Sequence, residues 1–430
     1  MTCEQAIAYV HSKLRFGIKP GLSRIRALLE KMGNPQSSLT VVHLAGTNGK
    51  GSTCAMIGAM LCASGYKTGT YFSPFILDFR DRMQIDGRMI EREALARIVS
   101  EIHPLVEEME AGGEVITEFE LVTAAAFSWF AGEGCERVVL ETGLGGRWDA
   151  TNVVEDPLLT VITSLSLDHT QILGRTLREI AEEKCGIIKP DGQTVCAAGQ
   201  EPEAMAVIRR VCAARENGLR VPNRERLSIV SAGLDGTRFL YENESYAVRM
   251  SGEYQTLNAI TAIEAARILG LTQEHIIEGL SKAFLPARME VVSREPLILL
   301  DGAHNPAAAK ALRNALEALW PKPKAVAVMG VMADKDYRSV VSELAPFFER
   351  VYTCMPENPR ALSAEKLGAE IEKAGGRAIS CSSPQEALEK ARRGLSGEEG
   401  LVICGSFYLA GELRRVLAGE SNNGSPALIG

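Results

Sequence analysis

The stretch HLAGTNGKGST, residues 43–53, joins the apolar run LTVVHLAG to STCAMIGAMLCASG, a segment that favours a helix. A buried strand, a glycine-rich turn and a helix in this order form a cradle for phosphate groups. The common phosphate loop has about five residues between its first glycine and its lysine. Here only three residues separate Gly46 from Lys50. The stretch therefore predicts a nucleotide site of a variant kind.

Each residue of this loop has a chemical reason to lie beside a triphosphate. Gly49 and Gly51 let the backbone approach the phosphates, and Lys50 brings a positive charge to the β- and γ-phosphates. Ser52, at the start of the helix, can place its hydroxyl on Mg²⁺. Thr47 and Asn48 complete the predicted ATP-binding turn. The alternative is a glycine-rich turn that binds no ligand.

Length and composition exclude several classes of protein. The 430 residues favour two domains, and 46% hydrophobic with 23% charged residues is typical of a globular protein. A net charge of -7 gives no support for binding to nucleic acid or to a membrane surface. The N-terminal residues carry early charges and no long apolar stretch, so we expect no signal peptide and a cytoplasmic location. The ten cysteines form no CxxC pair, which predicts reduced and mostly buried thiols.

Short apolar strands alternate with helical stretches nearly throughout the chain. RVVLETGLGG and LLTVITSLS are apolar on both faces, which predicts buried strands in an α/β fold with a largely parallel sheet. In the second half, PLILLDGAHNPAAAKALRNALEAL predicts a strand, a turn and a helix, with Asn305 as N-cap and Pro306 at the first helical position. KAVAVMGVM, RVYTCMP, RAISCSS and LVICGS predict four more strands. A β-hairpin is expected between about Arg220 and Met250.

Twelve segments along the chain, taken together, resemble the folylpolyglutamate synthase/dihydrofolate synthase family of the Mur ligase superfamily. They occur in the order that the family has: FGIKPGLSRI, GTNGKGST, FSPFILDFRDRMQIDG, TEFELVTAAAF, ETGLGGRWDATN, LDHTQILG, EEKCGIIKP, QTLNAITA, PARME, DGAHNP, GVMADKDY and CGSFYLAGELR. The resemblance implies an N-terminal P-loop domain with a mostly parallel sheet and a smaller C-terminal Rossmann-like α/β domain, with the active site in the cleft between them. We assign residues 1–287 to the first domain, 288–296 to a linker and 297–430 to the second.

The resemblance also implies a reaction. ATP converts a carboxylate of folate, or of dihydropteroate, into an acyl phosphate, and the amine of L-glutamate then displaces phosphate. The resembling enzymes are usually monomers, and they belong to folate biosynthesis and one-carbon metabolism. Such chemistry requires Mg²⁺, a lysine and the exclusion of water from a hydrolysable intermediate.

The metal ligands that the resemblance implies lie at or near the ends of predicted strands. Glu141 ends a strand, where ligands bind in parallel sheets, although its carboxylate could instead cap a neighbour. His169 matches a family ligand of a second Mg²⁺, and the alternative is a structural histidine. Ser73 matches a metal-binding serine of the family, and the alternative is a helix cap before Pro74. The family lysine that Lys184 matches is often carbamylated, which would make it a metal ligand. Otherwise Lys184 is an ordinary surface lysine.

Residues of the second half match family positions for ATP and glutamate. Asn258, Arg288 and Asp301 match ATP contacts, and a guanidinium suits phosphate oxygens. His304 and Ser406 match positions for the incoming glutamate, and both precede predicted helices, whose N-termini favour carboxylates. Ser406 could equally be a simple N-cap. We expect Lys50, Lys184 and His304 to be the catalytic residues.

The pteridine contacts are less defined by the sequence. Phe72, Phe75 and Phe119 could stack on the pteridine or line its pocket, although core packing is the more usual role for any one of them. Trp148, Tyr254 and Ser23 depart from residues that are common in the family, which leaves substrate details open but not the reaction type.

Two other functions compete with this one. A Mur-type ligase of peptidoglycan synthesis shares the loop and the acyl-phosphate chemistry, but only 45 residues precede Gly46, too few for the N-terminal domain that holds a UDP-sugar. A non-ligase P-loop ATPase would not need Asp301, His304 and Ser406.

Overall fold

The computed structural model describes residues 1–17, 19–320, 325–396 and 399–421. The chain divides into two compact units. Unit 1 contains Met1–Ser228, Phe239–Val248 and Thr256–Phe284, and unit 2 contains Ile229–Arg238, Arg249–Gln255 and Leu285–Gly430. Two short stretches from the middle of the chain thus cluster with the C-terminal residues. The predicted domain boundaries and linker stay predictions, although part of that linker, Glu290–Arg294, forms a strand.

Unit 1 is built on an eight-stranded sheet with the order β4-β3-β2-β5-β1-β6-β7-β8. Its strands are β1 (Val41–Ala45), β2 (Thr68–Tyr71), β3 (Met83–Ile85), β4 (Arg88–Met89), β5 (Arg137–Glu141), β6 (Leu159–Ile162), β7 (Gln193–Cys196) and β8 (Gly218–Arg220). The pairs β2–β3 and β3–β4 are antiparallel and the others are parallel. Because β1 lies between β5 and β6, the loops that follow these three strands emerge side by side at one edge of the sheet.

Helices pack around this sheet, and some of them begin at a threonine whose side chain accepts a backbone N–H of the first turn. In the first 284 residues they are α1 (Cys3–Ser12), α2 (Ser23–Lys31), α3 (Lys50–Ala63), α4 (Arg92–Ala111), α5 (Glu118–Gly132), α6 (Thr170–Leu173), α7 (Leu177–Lys184), α8 (Pro202–Ala214), α9 (Glu253–Ile268) and α10 (Gln273–Lys282). Thr117 with Glu120, and Thr176 with Glu179, form capping boxes that start α5 and α7. Nearly every side chain in the first three turns of α3 is buried, as expected for the helix behind a phosphate loop.

The expected hairpin between Arg220 and Met250 is instead a sheet of three strands. These are β9 (Leu227–Gly233), β10 (Gly236–Tyr241) and β11 (Glu244–Val248), in the order β11-β10-β9. The additional strand arises because Glu242 and Asn243, both with positive φ, make a second tight turn that the sequence pattern did not reveal.

Unit 2 contains a six-stranded sheet with the order β12-β13-β17-β14-β15-β16. Its strands are β12 (Glu290–Arg294), β13 (Leu297–Leu300), β14 (Ala325–Met329), β15 (Arg350–Thr353), β16 (Ala378–Ser380) and β17 (Gly400–Cys404), and its helices are α11 (Pro306–Leu319), α12 (Tyr337–Leu344), α13 (Ala364–Lys373), α14 (Pro384–Arg393) and α15 (Phe407–Ser421). The four strands predicted after Ala325 are confirmed. Only β12–β13 is antiparallel among the described pairs of this sheet. The parallel neighbours β13 and β17 lead directly into the DGAHNP and GSF segments.

Several local predictions are confirmed. Asn305 caps α11 by accepting a hydrogen bond from the Ala308 N–H at 2.9 Å, and Pro306 takes the first helical position. All ten cysteines are free thiols, and every one except the half-buried Cys62 is buried. Within the described residues, no helix combines the length and the hydropathy needed to cross a membrane.

Candidate active site

The turn between β1 and α3 has a shape that only glycine permits at two positions. Gly49 has φ +84°, and a Cβ built there would lie 2.3 Å from Oδ1 of Asn258. A Cβ at Gly46 would lie 1.8 Å from Oγ1 of Thr163. Asn258 is thus placed directly against the loop, next to residues that the sequence predicts as phosphate contacts. Because α3 begins at Lys50, the N–H groups of its first turn point out of the helix end, which favours an anion.

The loop is held on one side by residues 164–166, which the sequence analysis did not single out. The carbonyl of Ser164 accepts the N–H of Thr47 at 2.8 Å and that of Asn48 at 3.3 Å. Oγ1 of Thr47 donates to the carbonyl of Ser166 at 3.0 Å and accepts its N–H at 3.1 Å. The sequence showed only that residues 164–166 end the strand predicted in LLTVITSLS, because the neighbour of that strand in the sheet cannot be read from sequence.

Two lysines converge on one carbonyl oxygen of the loop. Nζ of Lys50 donates to the carbonyl of Gly46 at 3.1 Å, and Nζ of Lys184 donates to the same oxygen at 2.7 Å. Lys184 is only 4% exposed, so the alternative of an ordinary surface lysine is wrong. Its helix α7 ends at Lys184 itself.

The buried carboxylate of Glu141 lies beside this pair. Glu141 ends β5, is 4% exposed, and places Oε1 3.9 Å from Nζ of Lys50. Its Oε2 accepts the backbone N–H of Ser73 at 3.2 Å. Ser52, on the first turn of α3, is 1% exposed. The structure therefore brings together Lys50, Ser73 and Glu141, which are 23 or more residues apart in sequence.

His169 lies in the loop after β6, where its backbone takes the left-handed conformation with φ 50°. Its N–H donates to Oδ1 of Asp168 at 2.7 Å, and its Nε2 lies 3.9 Å from the same oxygen. The ring is about one third exposed. A histidine in this strained region is uncommon and is worth a functional explanation.

The donor atoms here suit a magnesium ion better than a soft metal. A buried carboxylate and two serine hydroxyls are hard oxygen ligands, of the kind that Mg²⁺ prefers in small number together with water and phosphate. Across the described ranges, no group of three or more His, Cys, Asp or Glu residues is arranged to hold a metal ion. The two-site assignment to Ser52, Ser73, Glu141, His169 and Lys184 stays a prediction.

A chain of hydrogen bonds joins β1 to the segment that follows β5. Nε2 of His43 lies 2.8 Å from Oγ1 of Thr151, and this hydroxyl donates to Oδ1 of Asp149 at 2.5 Å. Since the hydroxyl proton goes to Asp149, its oxygen must accept from a protonated Nε2 of His43. Nδ1 of His43 is then a bare acceptor, and it has no hydrogen-bond partner. Complete burial, with a smaller contribution from the charge of Lys189, lowers the pKa of His43 to about 3.

In unit 2, the ends of β13 and β17 carry a second group of predicted residues. Asp301 is 4% exposed; Oδ1 accepts the N–H of Ala303 at 2.8 Å, and Oδ2 accepts the N–H of Met289 at 2.9 Å. The hydroxyl of Tyr254, one of the departures from common family usage, donates to Oδ2 at 3.4 Å. Burial raises the pKa of Asp301, and the positive charge of Arg288 opposes that shift.

An aromatic ring connects Arg288 with His304. The guanidinium carbon of Arg288 lies 4.5 Å from the centroid of the Phe407 ring, and the His304 ring lies 5.4 Å from that centroid. Nε of Arg288 is buried without a hydrogen-bond partner. Nδ1 of His304 lies 2.9 Å from the carbonyl of Gly302, which can only accept, so Nδ1 carries a proton. Phe407 was not predicted to take part, because its contacts depend on the pairing of β13 with β17.

Ser406 serves as the N-cap of α15. It is 1% exposed, and its Oγ accepts the N–H of Leu409 at 3.2 Å. The capping alternative therefore describes what Ser406 does here, and its predicted part in glutamate binding stays a prediction. Of the aromatic candidates for pteridine contact, Phe72 is buried, while Phe75 and Phe119 are half-buried against the core of unit 1.

Comparison with known proteins identifies the family. Residues 44–266 match the Mur ligase middle domain, and residues 287–407 match the Mur ligase glutamate ligase domain. The chain is 36% identical over 437 residues to the dihydrofolate synthase/folylpolyglutamate synthase of Bacillus subtilis (strain 168), covering 96% of this chain and 99% of that protein.

The chain belongs to the folylpolyglutamate synthase/dihydrofolate synthase family of Mur ligases.

Solved structures of this family have the same α/β fold. The folylpolyglutamate synthase of Mycobacterium tuberculosis, complexed with ADP, has a TM-score of 0.89 and 30% identity, with 99% of each chain covered. Escherichia coli FolC in complex with DHPP and ADP has a TM-score of 0.86 and 29% identity, with 98% of each chain covered. The predicted family and fold class are thereby confirmed. Of the residues that depart from common folylpolyglutamate synthase usage, Trp148 is exposed, with 52% of its surface accessible.

Proposed function

We propose that this protein is an ATP-dependent ligase that adds L-glutamate to folate, and also to dihydropteroate. The observation that carries the proposal is the phosphate loop in which Lys50 and Lys184 share the Gly46 carbonyl beside the buried Glu141. It occurs in a chain that is similar, over nearly its whole length, to a dihydrofolate synthase/folylpolyglutamate synthase. ADP in the solved structure of a relative supports ATP as the phosphoryl donor.

The reaction would proceed in two steps. A carboxylate oxygen of the pteroate or folate attacks the γ-phosphorus of ATP, and the bond to the bridging oxygen breaks, which yields an acyl phosphate and ADP. The amine of L-glutamate then attacks the acyl carbon, inorganic phosphate leaves, and the nitrogen loses a proton to give the amide. Negative charge is concentrated on phosphate or carbonyl oxygens in both steps, so the protein must supply fixed positive charge and hydrogen-bond donors.

Unit 1 supplies side chains for the fixed positive charge that the reaction requires. Lys50 is held by two loop carbonyls with its charge at the N-terminus of α3, where a phosphate is favoured. We assign ATP contacts to Thr47, Asn48, Gly49, Gly51, Ser52 and Asn258 around it. From unit 2, we assign Arg288, whose Nε has no protein partner, and Asp301.

Magnesium would be held by oxygen atoms of Ser52, Ser73 and Glu141, with His169 and Lys184 at a second ion. When bound, it neutralises the phosphate oxygens and polarises the phosphorus. Glu141 is prepared for this role, because its carboxylate is fixed by the Ser73 N–H and lies near a cation. These contacts orient the carboxylate before any ion arrives.

For Lys184 we propose carbamylation. Addition of CO₂ to the neutral amine, with loss of one proton, replaces a cation with an anion that has two ligand oxygens. The carbamate nitrogen keeps one hydrogen, so it can still donate to the Gly46 carbonyl that Nζ contacts now. The addition requires the neutral form of the amine, and the side chain of Lys184 is buried.

For glutamate we propose His304 and Ser406, each at the start of a helix in unit 2. Nδ1 of His304 is directed to the carbonyl of Gly302, which fixes the orientation of the ring at the start of α11. From the family resemblance we also propose that the enzyme is a cytoplasmic monomer, which size-exclusion chromatography with light scattering would test for the oligomeric state.

The deciding experiment measures ADP release with the purified protein. We expect turnover only when L-glutamate is present together with dihydropteroate or tetrahydrofolate, assayed separately. ADP release with neither acid nor glutamate would favour a P-loop ATPase instead. Turnover with a UDP-sugar acid, and none with either pteridine, would favour a peptidoglycan ligase.

A further inference from the structure

The segment that follows β6, residues 163–166, makes several hydrogen bonds to the first residues of the phosphate loop. The carbonyl of Ser164 binds two successive N–H groups, those of Thr47 and Asn48, and Ser166 pairs with the Thr47 side chain. Oγ of Ser164 also donates to the Asn48 carbonyl at 3.1 Å. Any displacement of residues 163–166 would therefore move the loop.

This segment lies beyond the end of the regular ladder between β6 and β7. The final backbone bond of that ladder runs from the N–H of Ala197 to the carbonyl of Ile162 at 2.8 Å. In an extended chain, alternate residues direct their backbone groups to opposite sides. The Ser164 carbonyl faces the phosphate loop. The chain departs from strict alternation at Thr163, because its N–H donates to the Ala45 carbonyl of β1 at 2.8 Å. The Thr163 carbonyl and the Leu165 N–H face the other way, where β7 has already ended.

The side chain of Gln200 fills the place that a continued strand would occupy. Its Nε2 donates to the carbonyl of Thr163 at 2.8 Å, and its Oε1 accepts the N–H of Leu165 at 3.0 Å. A primary amide offers one donor and one acceptor in a plane, as a peptide group does. One side chain thus satisfies both outward groups of the segment.

We propose that Gln200 is a positioning residue for the phosphate loop, which acts on Thr47 and Asn48 through residues 163–166. The inference rests on the proposed function, since the bound group is taken to be the triphosphate of ATP. Gln200 keeps the Ser164 carbonyl in place, so the loop is already shaped for the phosphates before ATP binds. Preorganisation of this kind raises affinity because less ordering remains to be done on binding.

The test compares three variants by calorimetric binding of an ATP analogue whose β,γ-bridging oxygen is replaced by methylene, in the presence of Mg²⁺. Gln200→Leu removes both hydrogen bonds to the segment and a longer contact from Nε2 to Sγ of Cys196 at 3.6 Å. Gln200→Glu keeps the acceptor for Leu165 but sets a carboxylate against the Thr163 carbonyl. Gln193→Leu, an exposed glutamine at the start of β7, is the matched control. We expect Kd for the analogue to rise roughly fivefold to tenfold in both Gln200 variants, the worth of about one hydrogen bond, and to stay unchanged in the control.

Steady-state kinetics separate positioning from general destabilisation. The KM for ATP should rise by a similar factor in both Gln200 variants, while the KM for L-glutamate stays within twofold of wild type. If Gln200→Leu does not fold, Gln200→Glu, which is nearly the same size, decides the matter. Folded variants that bind the analogue as wild type does would overturn the positioning role and leave the proposed function intact. A wild-type protein that binds no nucleotide would overturn both.

Discussion

Lys50 and Lys184 donate to the same backbone oxygen, that of Gly46, at 3.1 and 2.7 Å. One lysine comes from the first turn of α3 and the other from the last turn of α7. Two ammonium groups at one carbonyl repel each other, and Oε1 of Glu141 lies 3.9 Å from Nζ of Lys50. Binding of a polyanion would reduce this repulsion, and so would conversion of one lysine to an acid.

Replacing Lys50 with Ala should abolish ligase activity while the protein stays folded. The side chain supplies the point charge next to the helix N-terminus, and loss of one such group typically costs about a hundredfold to a thousandfold in rate. ADP release under saturating substrates measures the effect, and circular dichroism checks the fold. Lys31→Ala, which removes an exposed lysine on α2, is the control and should be fully active. An active Lys50→Ala enzyme would remove the phosphate role.

Replacing Lys184 with Ala should inactivate the enzyme, and short-chain carboxylic acids should restore part of the activity. A carboxylate such as acetate or propionate can occupy the space of the carbamate and offer the same oxygens. The titration of activity against added acid measures this rescue. Lys189→Ala, in the same EEKCGIIKP segment, is the control, and added acid should not change its activity. Full activity of Lys184→Ala without acid would contradict the carbamate.

Replacing His304 with Ala should raise the KM for L-glutamate more than the KM for ATP. The ring stands at the start of α11 and rests against Phe407, so its loss opens the proposed glutamate position. Full kinetics in both substrates measure the ratio of the two changes. His275→Ala, on α10 of unit 1, is the control and should leave both constants unchanged. The opposite order, with ATP affected more, refutes the assignment.

Replacing His43 with Gln should change how stability depends on pH. In the folded protein the pKa of His43 is lowered to about 3, whereas an unfolded histidine titrates near 6.5. The unfolded chain therefore binds more protons between these values, and His43 costs the folded state stability as pH falls through this window. Relative to His43→Gln, wild type should lose about 2 kcal/mol between pH 7.5 and pH 5. Urea unfolding at both pH values measures it, and a difference that does not vary with pH would show that His43 titrates normally.

The sequence predicted the strands, helices and residue types of this site more completely than the contacts between them. The strand before Gly46, the helix after it and the N-cap at Asn305 follow from patterns that span a few residues, and the structure contains all three. Glu141 was expected at a strand end because a run of apolar residues stops there, and it is found there. The third strand of the sheet from Leu227 to Val248 was missed, because its turn at Glu242 and Asn243 contains no glycine or proline.

By itself, the sequence determined the α/β class, the family, the variant phosphate loop and the residue types that its chemistry needs. All of these follow from the order of residues along the chain, because hydrophobic periodicity and motif spacing are read within one strand, turn or helix. Only the tertiary structure decided that Lys184 is buried against a carbonyl 138 residues away, that Asn258 stands against Gly49, and that Phe407 lies between Arg288 and His304. The physical reason is that strand order brings these partners together. That order is set by how buried faces pack over the whole sheet, and no single stretch of the chain records it.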